Sequence, residues 1–346
     1  MKKSFLVIVG ILGLFSACSK QEAPRSRISI VGSSTVFPFA SAVAEQFGAA
    51  NGGSVPKVEA NGTGGGIKVF CSNTGLASVD IANASRQMKK SEFEDCQKNG
   101  VNEIIEVKIG YDGIVLAGAK SGELANLSQK EIFLAVAKEV PLDGKFVPNP
   151  NMLWSDINPS FPKTKIEIMG PPPTSGTRDA FVELILEKGA MKIDALKSLH
   201  ESDKEAFKKA ATTIREDGIW KDMGENDNLI VQALNTTPKA IGIFGFSFFE
   251  ENTDKLKAIK IENKAPEMAD ITSGEYPASR SLYFYVKKAN ISYIPAIKGY
   301  MSEFISPKAI GKNGYLISRG LIPLKAEEVT KQLEIISNQT LMVKPN

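Results

Sequence analysis

The sequence predicts an α/β protein of two lobes with a cleft between them. Three observations lead there. Short β-type runs alternate with helical patterns, which argues for mainly parallel sheets covered by helices. The 346 residues exceed what a single core fills. A Pro-, Gly- and Ser-rich stretch, "ENKAPEMADITSGEYPASR", is followed by one more strand-like run, "SLYFYVKK", so the chain is expected to cross between domains twice. With 42% hydrophobic and 23% charged residues the composition is ordinarily globular, which excludes wholesale disorder and a multi-spanning membrane protein.

The first residues stand apart. Lys2 and Lys3 precede an apolar run from Phe5 to Phe15, too short to span a bilayer, and small residues follow. This reads as a secretory signal over residues 1–17. Phe15-Ser16-Ala17-Cys18 resembles a lipobox, with Phe15 where Leu is usual, so Cys18 is a candidate lipidation site and the chain is placed in the periplasm. Removal of the signal lowers the formal net charge from +3 to +1, which leaves no electrostatic footprint for nucleic acid. Cys71 and Cys96 remain, the number for one bridge in an exported chain; the other reading is two buried thiols, and the disulfide is favoured. No zinc set can be assembled around the single His200, and no metal or cofactor is expected.

Strands are expected at Ile28–Val31, Lys57–Ala60, Ile104–Lys108, Ile114–Ala117, Ile166–Met169 and Ala240–Phe244. Helices are expected at Val36–Phe47, Lys130–Ala137, Arg178–Lys188, Glu205–Ile214 and Asp227–Leu234. In the first helix Val36, Ala40, Val43 and Phe47 form one apolar stripe, with Ser34 or Thr35 at the N-cap position and Gly48 as the stop. In "TSGTRDAFVELILEKG" Phe181, Leu184 and Ile185 share a face and Gly189 closes the helix. Lobe boundaries follow: 26–117 plus 276–346 for the first lobe, 118–275 for the second, with hinge crossovers near 117 and 270.

Four clusters carry the chemistry: Gly32-Ser33-Ser34-Thr35, Gly62-Thr63-Gly64-Gly65-Gly66, Ala84-Ser85-Arg86 and Thr174-Ser175-Gly176-Thr177-Arg178. Singly, each is a helix cap or a flexible turn. Together they suit an anion, because helix N-termini present free N–H groups, glycines admit close backbone approach and hydroxyls add donors. Neither Gly-rich segment ends in Gly-Lys-Ser/Thr, and neither is a dinucleotide fingerprint. What remains is a small oxyanion held by neutral donors, with Arg86 or Arg178 supplying charge. A nucleophilic Ser34 or Ser175 would need a base that the sequence does not offer, so an enzyme is not expected.

"VGSSTVFP", "NGTGGGIKVFC", "DIANASRQMKKSE", "YDGIVLA", "PTSGTRDAF" and "NDNLIVQAL…KAIGIFGF", in this order, resemble the periplasmic phosphate-binding proteins of Pst-type ABC transporters, from about residue 28 to about 320. The resemblance implies a type 2 periplasmic-binding-protein fold that closes on inorganic phosphate. It also implies a monomer that delivers its ligand to ABC permease subunits. Carried over residue by residue, it implies Ser34, Thr35 and the Val36 backbone as one wall of the site, with Thr63 and Gly64 on the glycine turn and Ser85 beside them. Ser175, Gly176 and Thr177 form the opposing wall, while Asp80 orients structure. Many members carry Asp where this chain has Arg86, and Arg where it has Pro171. The expectation is therefore a relocation, with Arg86 as the cation and Asp112 of "YDG" as acceptor of the phosphate proton. The alternative for Asp112 is a plain salt bridge with Arg86. Sulfate, molybdate or tungstate is the rival ligand.

Overall fold

The computed structural model describes residues 27–75, 77–224 and 227–345. The signal segment and Cys18 lie outside the described residues. Among those described, the strands are, in chain order, β1 (Ser29–Gly32), β2 (Lys57–Ala60), β3 (Ile81–Ala84), β4 (Ile104–Ala119), β5 (Asn126–Leu127), β6 (Glu139–Leu142), β7 (Lys145–Pro148), β8 (Ile168–Gly170), β9 (Trp220–Asp222), β10 (Ile241–Gly245), β11 (Leu256–Ile261) and β12 (Ser279–Lys287). The first three helices are α1 (Phe37–Ala50), α2 (Thr63–Phe70) and α3 (Lys90–Lys98).

The strands form two sheets that share β4. In the first, β1 pairs in parallel with β2 and β3, and β12 runs antiparallel to both β3 and β4. In the second, β8 pairs in parallel with β9 and β10, while β10 and β11 run antiparallel to β4. β6 and β7 form a separate hairpin.

Alternation along the strands sets the first lobe's two packing layers, since successive side chains leave a strand on opposite faces. Ile81, Ile105, Val107, Phe284 and Val286 enter one buried cluster, with the α1 residues Val36, Phe39, Ala40 and Val43. Ala82, Ala84, Tyr283 and Tyr285 enter the other, with Ile67 and Phe70 of α2 and the cystine sulfurs. The second lobe has a single large core that gathers Ile114–Ala117, Phe181, Trp220, Ile243 and Phe244. Each fully buried aliphatic or aromatic side chain contributes about 1.5–3 kcal/mol, so both lobes hold ample apolar surface to stand as cores.

β4 was expected as two strands, Ile104–Lys108 and Ile114–Ala117; it is one strand of 16 residues. Its first half pairs with β12 and its second half with β10 and β11, so the chain passes from one sheet to the other inside a strand. The β12 pairing shifts register between Leu282 and Tyr283. The tripeptide Tyr111-Asp112-Gly113 sits at this crossing, whereas the boundary anticipated after Ala117 lies near the strand's far end. Gly110 is needed there because a Cβ would come within 2.7 Å of the Ile322 carbonyl oxygen, which runs alongside and exchanges both backbone bonds with Tyr111. Among the described residues, no helix is long and apolar enough to cross a membrane.

Helix ends depart from expectation in instructive places. The residue at the α1 N-cap is Val36, with no side-chain cap; Ser33, not Ser34 or Thr35, offers its Oγ to the Val36 N–H at 3.4 Å. Gly48 lies within α1 because the helix runs on to Ala50. The helix expected from Arg178 starts two residues earlier, at Gly176, and a member of the hydroxyl cluster caps it: the Ser175 hydroxyl accepts from Thr177 N–H at 3.2 Å. It continues through a π-helical turn at Val182–Leu186 and a last turn at Glu187–Ala190, so Gly189 also falls inside rather than after it.

Candidate functional site

Two glycines bring the first wall together. Gly32 ends β1 at φ +134°, and a Cβ there would overlap the Asn83 carbonyl oxygen at 2.2 Å. A Cβ on Gly66 would sit 2.3 Å from the Gly32 Cα. The glycine-rich turn thus lets α2 lie directly on the end of β1, a close backbone approach that no side chain allows. As a result Thr63, at the start of α2, meets Ser85, just past β3: their hydroxyls are 3.0 Å apart, and the Ser85 N–H donates to Thr63 Oγ1 at 3.0 Å. Asp80 stays below, accepting from Ser29 N–H at 2.8 Å and from Asn290 Nδ2 at 2.7 Å.

The second wall touches the first at Gly176. Thr35 Oγ1 donates to the Gly176 carbonyl at 3.4 Å, and a Cβ on Gly176 would lie 2.9 Å from Thr35 Cα. Asp179, one turn into the same helix, lies beside Ser34; burial pushes its carboxyl up, and the Ser34 hydroxyl pulls it down. The Ser34-Thr35 segment and the Ser175-Gly176-Thr177 turn are therefore in contact. Thr63 and Ser85 form a pair of their own beside the first wall.

The charged groups are arranged differently from expectation. Arg86 is engaged by Glu92 through two hydrogen bonds of 2.7 and 2.9 Å. Glu92 also accepts from the Lys89 N–H at 2.8 Å at the start of α3, so a local cap fixes the carboxylate that takes Arg86. Burial alone would raise the Glu92 carboxyl, but the bonds from Arg86 and Lys89 hold it below the usual range. Arg178 is likewise occupied, donating to the Pro171 carbonyl and Asp222 and lying 4.2 Å over the Trp220 ring.

The guanidinium at the meeting of the walls belongs to Arg280, which the sequence reading missed. Its Nη2 donates to Thr35 Oγ1 at 2.6 Å, its Nη1 to Glu183 at 2.5 Å, and its Nε to Asp112 at 3.4 Å, with only 7% of the side chain exposed. Asp112 and Arg280 are direct partners in the β4–β12 register, and cross-strand neighbours of opposite charge attract. Asp112 thus forms its salt bridge with Arg280 rather than Arg86. Burial pushes its carboxyl up, opposed by the Arg280 charge. The motif "YPASR" carried Arg280 in plain view, but only the strand pairing shows that it reaches Asp112.

A model of the PBP superfamily domain matches residues 19–308. The chain belongs to the PBP superfamily. Among curated relatives, the protein SphX of Synechococcus elongatus is 30% identical over 94% of this chain and 86% of its own length. The phosphate-binding protein PstS of Staphylococcus saprophyticus is 29% identical over 87% of this chain and 81% of its own. Among solved structures, one from Planctomyces limnophilus described as a possible phosphate binding protein superposes with a TM-score of 0.72 at 27% identity, covering 90% of this chain and 98% of that one. An ABC-type phosphate transport receptor from Vibrio cholerae shares the fold, with a TM-score of 0.58 at 18% identity over 86% of this chain and all of its own. The PBP fold accounts for the two lobes.

The expected Cys71–Cys96 disulfide is present, whereas His200 is half-buried rather than an exposed helix residue. Cys71 and Cys96 are joined by a disulfide that ties the end of α2 to α3. His200 lies in the helix Asp194–Ser202 with its ring edge-on to Phe207 at 4.8 Å, so it makes a packing contact.

Proposed function

We propose that the chain captures inorganic phosphate between its lobes outside the cytoplasm and delivers it to an ABC-type importer, without catalysing a reaction. One observation carries this reading: Arg280, held by Asp112, reaches Thr35 where the Ser34-Thr35-Val36 wall meets Ser175-Gly176-Thr177. A nearly buried guanidinium surrounded by hydroxyls and helix-start N–H groups suits a compact tetrahedral oxyanion. The names of the curated relatives support phosphate as that oxyanion. Hydrogen bonds to a charged group contribute about 1.5–3 kcal/mol each, so a handful of these donors exceeds the roughly 8 kcal/mol of a micromolar complex and offsets the cost of stripping water from the anion.

In this reading Ser34, Thr35, the Val36 N–H, Ser175, Gly176, Thr177 and Arg280 bind the anion, and Thr63, Gly64 and Ser85 complete the first wall. Arg86 moves to a structural role. Asp112 orients Arg280, and with Asp179 it lines the site with carboxyls that burial pushes up. Such a lining tolerates a ligand that can share a proton and repels fully ionised sulfate. Closing the lobes on the ligand follows from contacts that only the closed arrangement offers. A serine nucleophile is disfavoured because the Ser175 hydroxyl accepts from the Thr177 N–H and His200, the single histidine, packs on Phe207. Export, a lipid anchor at Cys18 and a monomeric state belong to the same proposal.

Calorimetric titration tests it. Phosphate is expected to bind at micromolar or tighter affinity and sulfate not measurably. Sulfate binding as tight as phosphate would overturn the assignment, and phosphate binding unchanged in Asp112→Asn would remove Asp112 from the proton-sharing role alone.

A further inference from the structure

The helix that begins at Gly176 does more than present its N-terminus. Its π-helical turn at Val182–Leu186 carries Glu183, and such insertions often mark functional sites. One turn apart on this helix, Asp179 lies beside Ser34 and Glu183 accepts from Arg280 at 2.5 Å. The second lobe therefore lays two carboxylates on first-lobe donors that the proposed ligand would use. Asp179 belongs to the carboxyl lining that favours a proton-sharing ligand, but Glu183 pairs directly with the binding guanidinium, which an anion would have to take over.

We propose that Glu183 is a built-in competitor of the ligand: its carboxylate holds Arg280 and must leave when an oxyanion binds, so Glu183 sets the affinity threshold of the site. This rests on the phosphate-site reading of the same cleft. The three partners of Arg280 differ in how readily they can yield. Asp112 is 13% exposed and fixed opposite Arg280 in the strand register, so moving it would strand a buried charge. Thr35 is a neutral hydroxyl in the first wall and can share Arg280 with a ligand. Glu183 has 49% of its side chain exposed and a flexible stem that can return to water. An ion pair with one partner in solvent costs little to break. A carboxylate brings one charge to Arg280, whereas hydrogen phosphate can bring two and several acceptor oxygens. The site so guarded selects a multiply charged oxyanion over ordinary carboxylates and halides.

The experiment compares phosphate titrations of the intact mature protein, Glu183→Gln and Glu187→Gln. Glu187 lies one turn further along the same helical stretch and provides an equal change of net charge. Glu183→Gln is expected to bind phosphate about fivefold more tightly, the upper size of a half-exposed ion pair removed from competition, with Glu187→Gln within about twofold of wild type. Equal or weaker binding by Glu183→Gln overturns the proposal, because Glu183 would then be idle or part of the closed complex. An equal gain in Glu187→Gln also overturns it, as a general charge effect. Failure of the wild type to bind phosphate would count against the phosphate reading itself. The same pair is then titrated with arsenate, which matches phosphate in shape and charge; Glu183→Gln is expected to bind it more tightly than wild type, and equal arsenate affinities in the two proteins overturn the competition.

Discussion

Two arginine–carboxylate pairs sit near the first wall, and they differ in how completely each arginine is used. Arg86 and Glu92 are six residues apart, joined by two short bonds, with the carboxyl held low and the guanidinium held on by that bond. Arg280 and Asp112 come from opposite strands, share one 3.4 Å contact, and leave the other guanidinium nitrogens to Thr35 and Glu183. A bidentate local pair is saturated, so a ligand would have to break it. A guanidinium shared among a buried carboxylate, a hydroxyl and a solvent-facing carboxylate can exchange one partner without losing its place. The difference separates a structural arginine from a binding one more reliably than proximity to a sequence motif does.

The sharpest way to break this comparison is to remove each arginine in turn. Arg280→Ala should abolish measurable phosphate binding, a loss of about 3 kcal/mol or more if two charged hydrogen bonds disappear. Arg86→Ala should leave the affinity within about threefold and cost mainly stability, because Arg86 serves Glu92. Calorimetry on both variants checks it. If Arg86→Ala were the damaging change, the relocation read from the sequence would be right and the assignment of Arg280 wrong.

Much of the scaffold was legible because its signals are local. The stripe Val36, Ala40, Val43 and Phe47 foretold α1, and the Thr174–Arg178 cluster marked the helix start that Ser175 caps. The hydroxyl and glycine clusters were visible because helix starts and close backbone approaches demand particular residue types at particular spacings. The binding cation was not. Arg280 lies 168 positions from Asp112 and 245 from Thr35, and nothing local distinguishes it from a linker arginine. Arg86 attracted attention by adjacency to Ser85, yet Glu92, a few residues on, already claims it through the α3 cap. The split of β4 into two strands failed for a related reason. The residues between the two expected strands include Gly110, which makes room for Ile322, and Gly113, which makes room for Ile271 and Ile322, so they continue the strand.

A smaller effect tests how the walls meet. Gly176→Ala places a Cβ 2.9 Å from Thr35 Cα and 3.1 Å from the Ser34 carbonyl oxygen, so the walls must part by a few tenths of an ångström. Gly176 opens a helix, where alanine is well tolerated. The variant should therefore keep its melting temperature and bind phosphate about tenfold more weakly, about 1.4 kcal/mol. Wild-type affinity in this variant would mean that Arg280 works without close approach of the second wall.

The smallest expected effect lies in the pH dependence of stability, where the two pairs should move in opposite directions. The Glu92 carboxyl is lower in the folded protein than in the unfolded chain, so its contribution is present above the ordinary glutamate range and fades as pH falls through the lowered value. The Asp112 carboxyl is raised on folding, so the folded state holds its proton more tightly. Its contribution is greatest below the ordinary aspartate range and is lost as pH rises through the raised value. Glu92→Gln should then cost about 1 kcal/mol or less at neutral pH, given that a third of Arg86 faces solvent, and nearly nothing in acid. Asp112→Asn should change the pH slope with the opposite sign, because it removes a group that prefers its proton in the folded state. Denaturant melts of both variants at neutral and acidic pH measure the two slopes. Slopes of the same sign would show that Arg280 saturates Asp112 as Arg86 saturates Glu92, and the distinction between the two arginines would collapse.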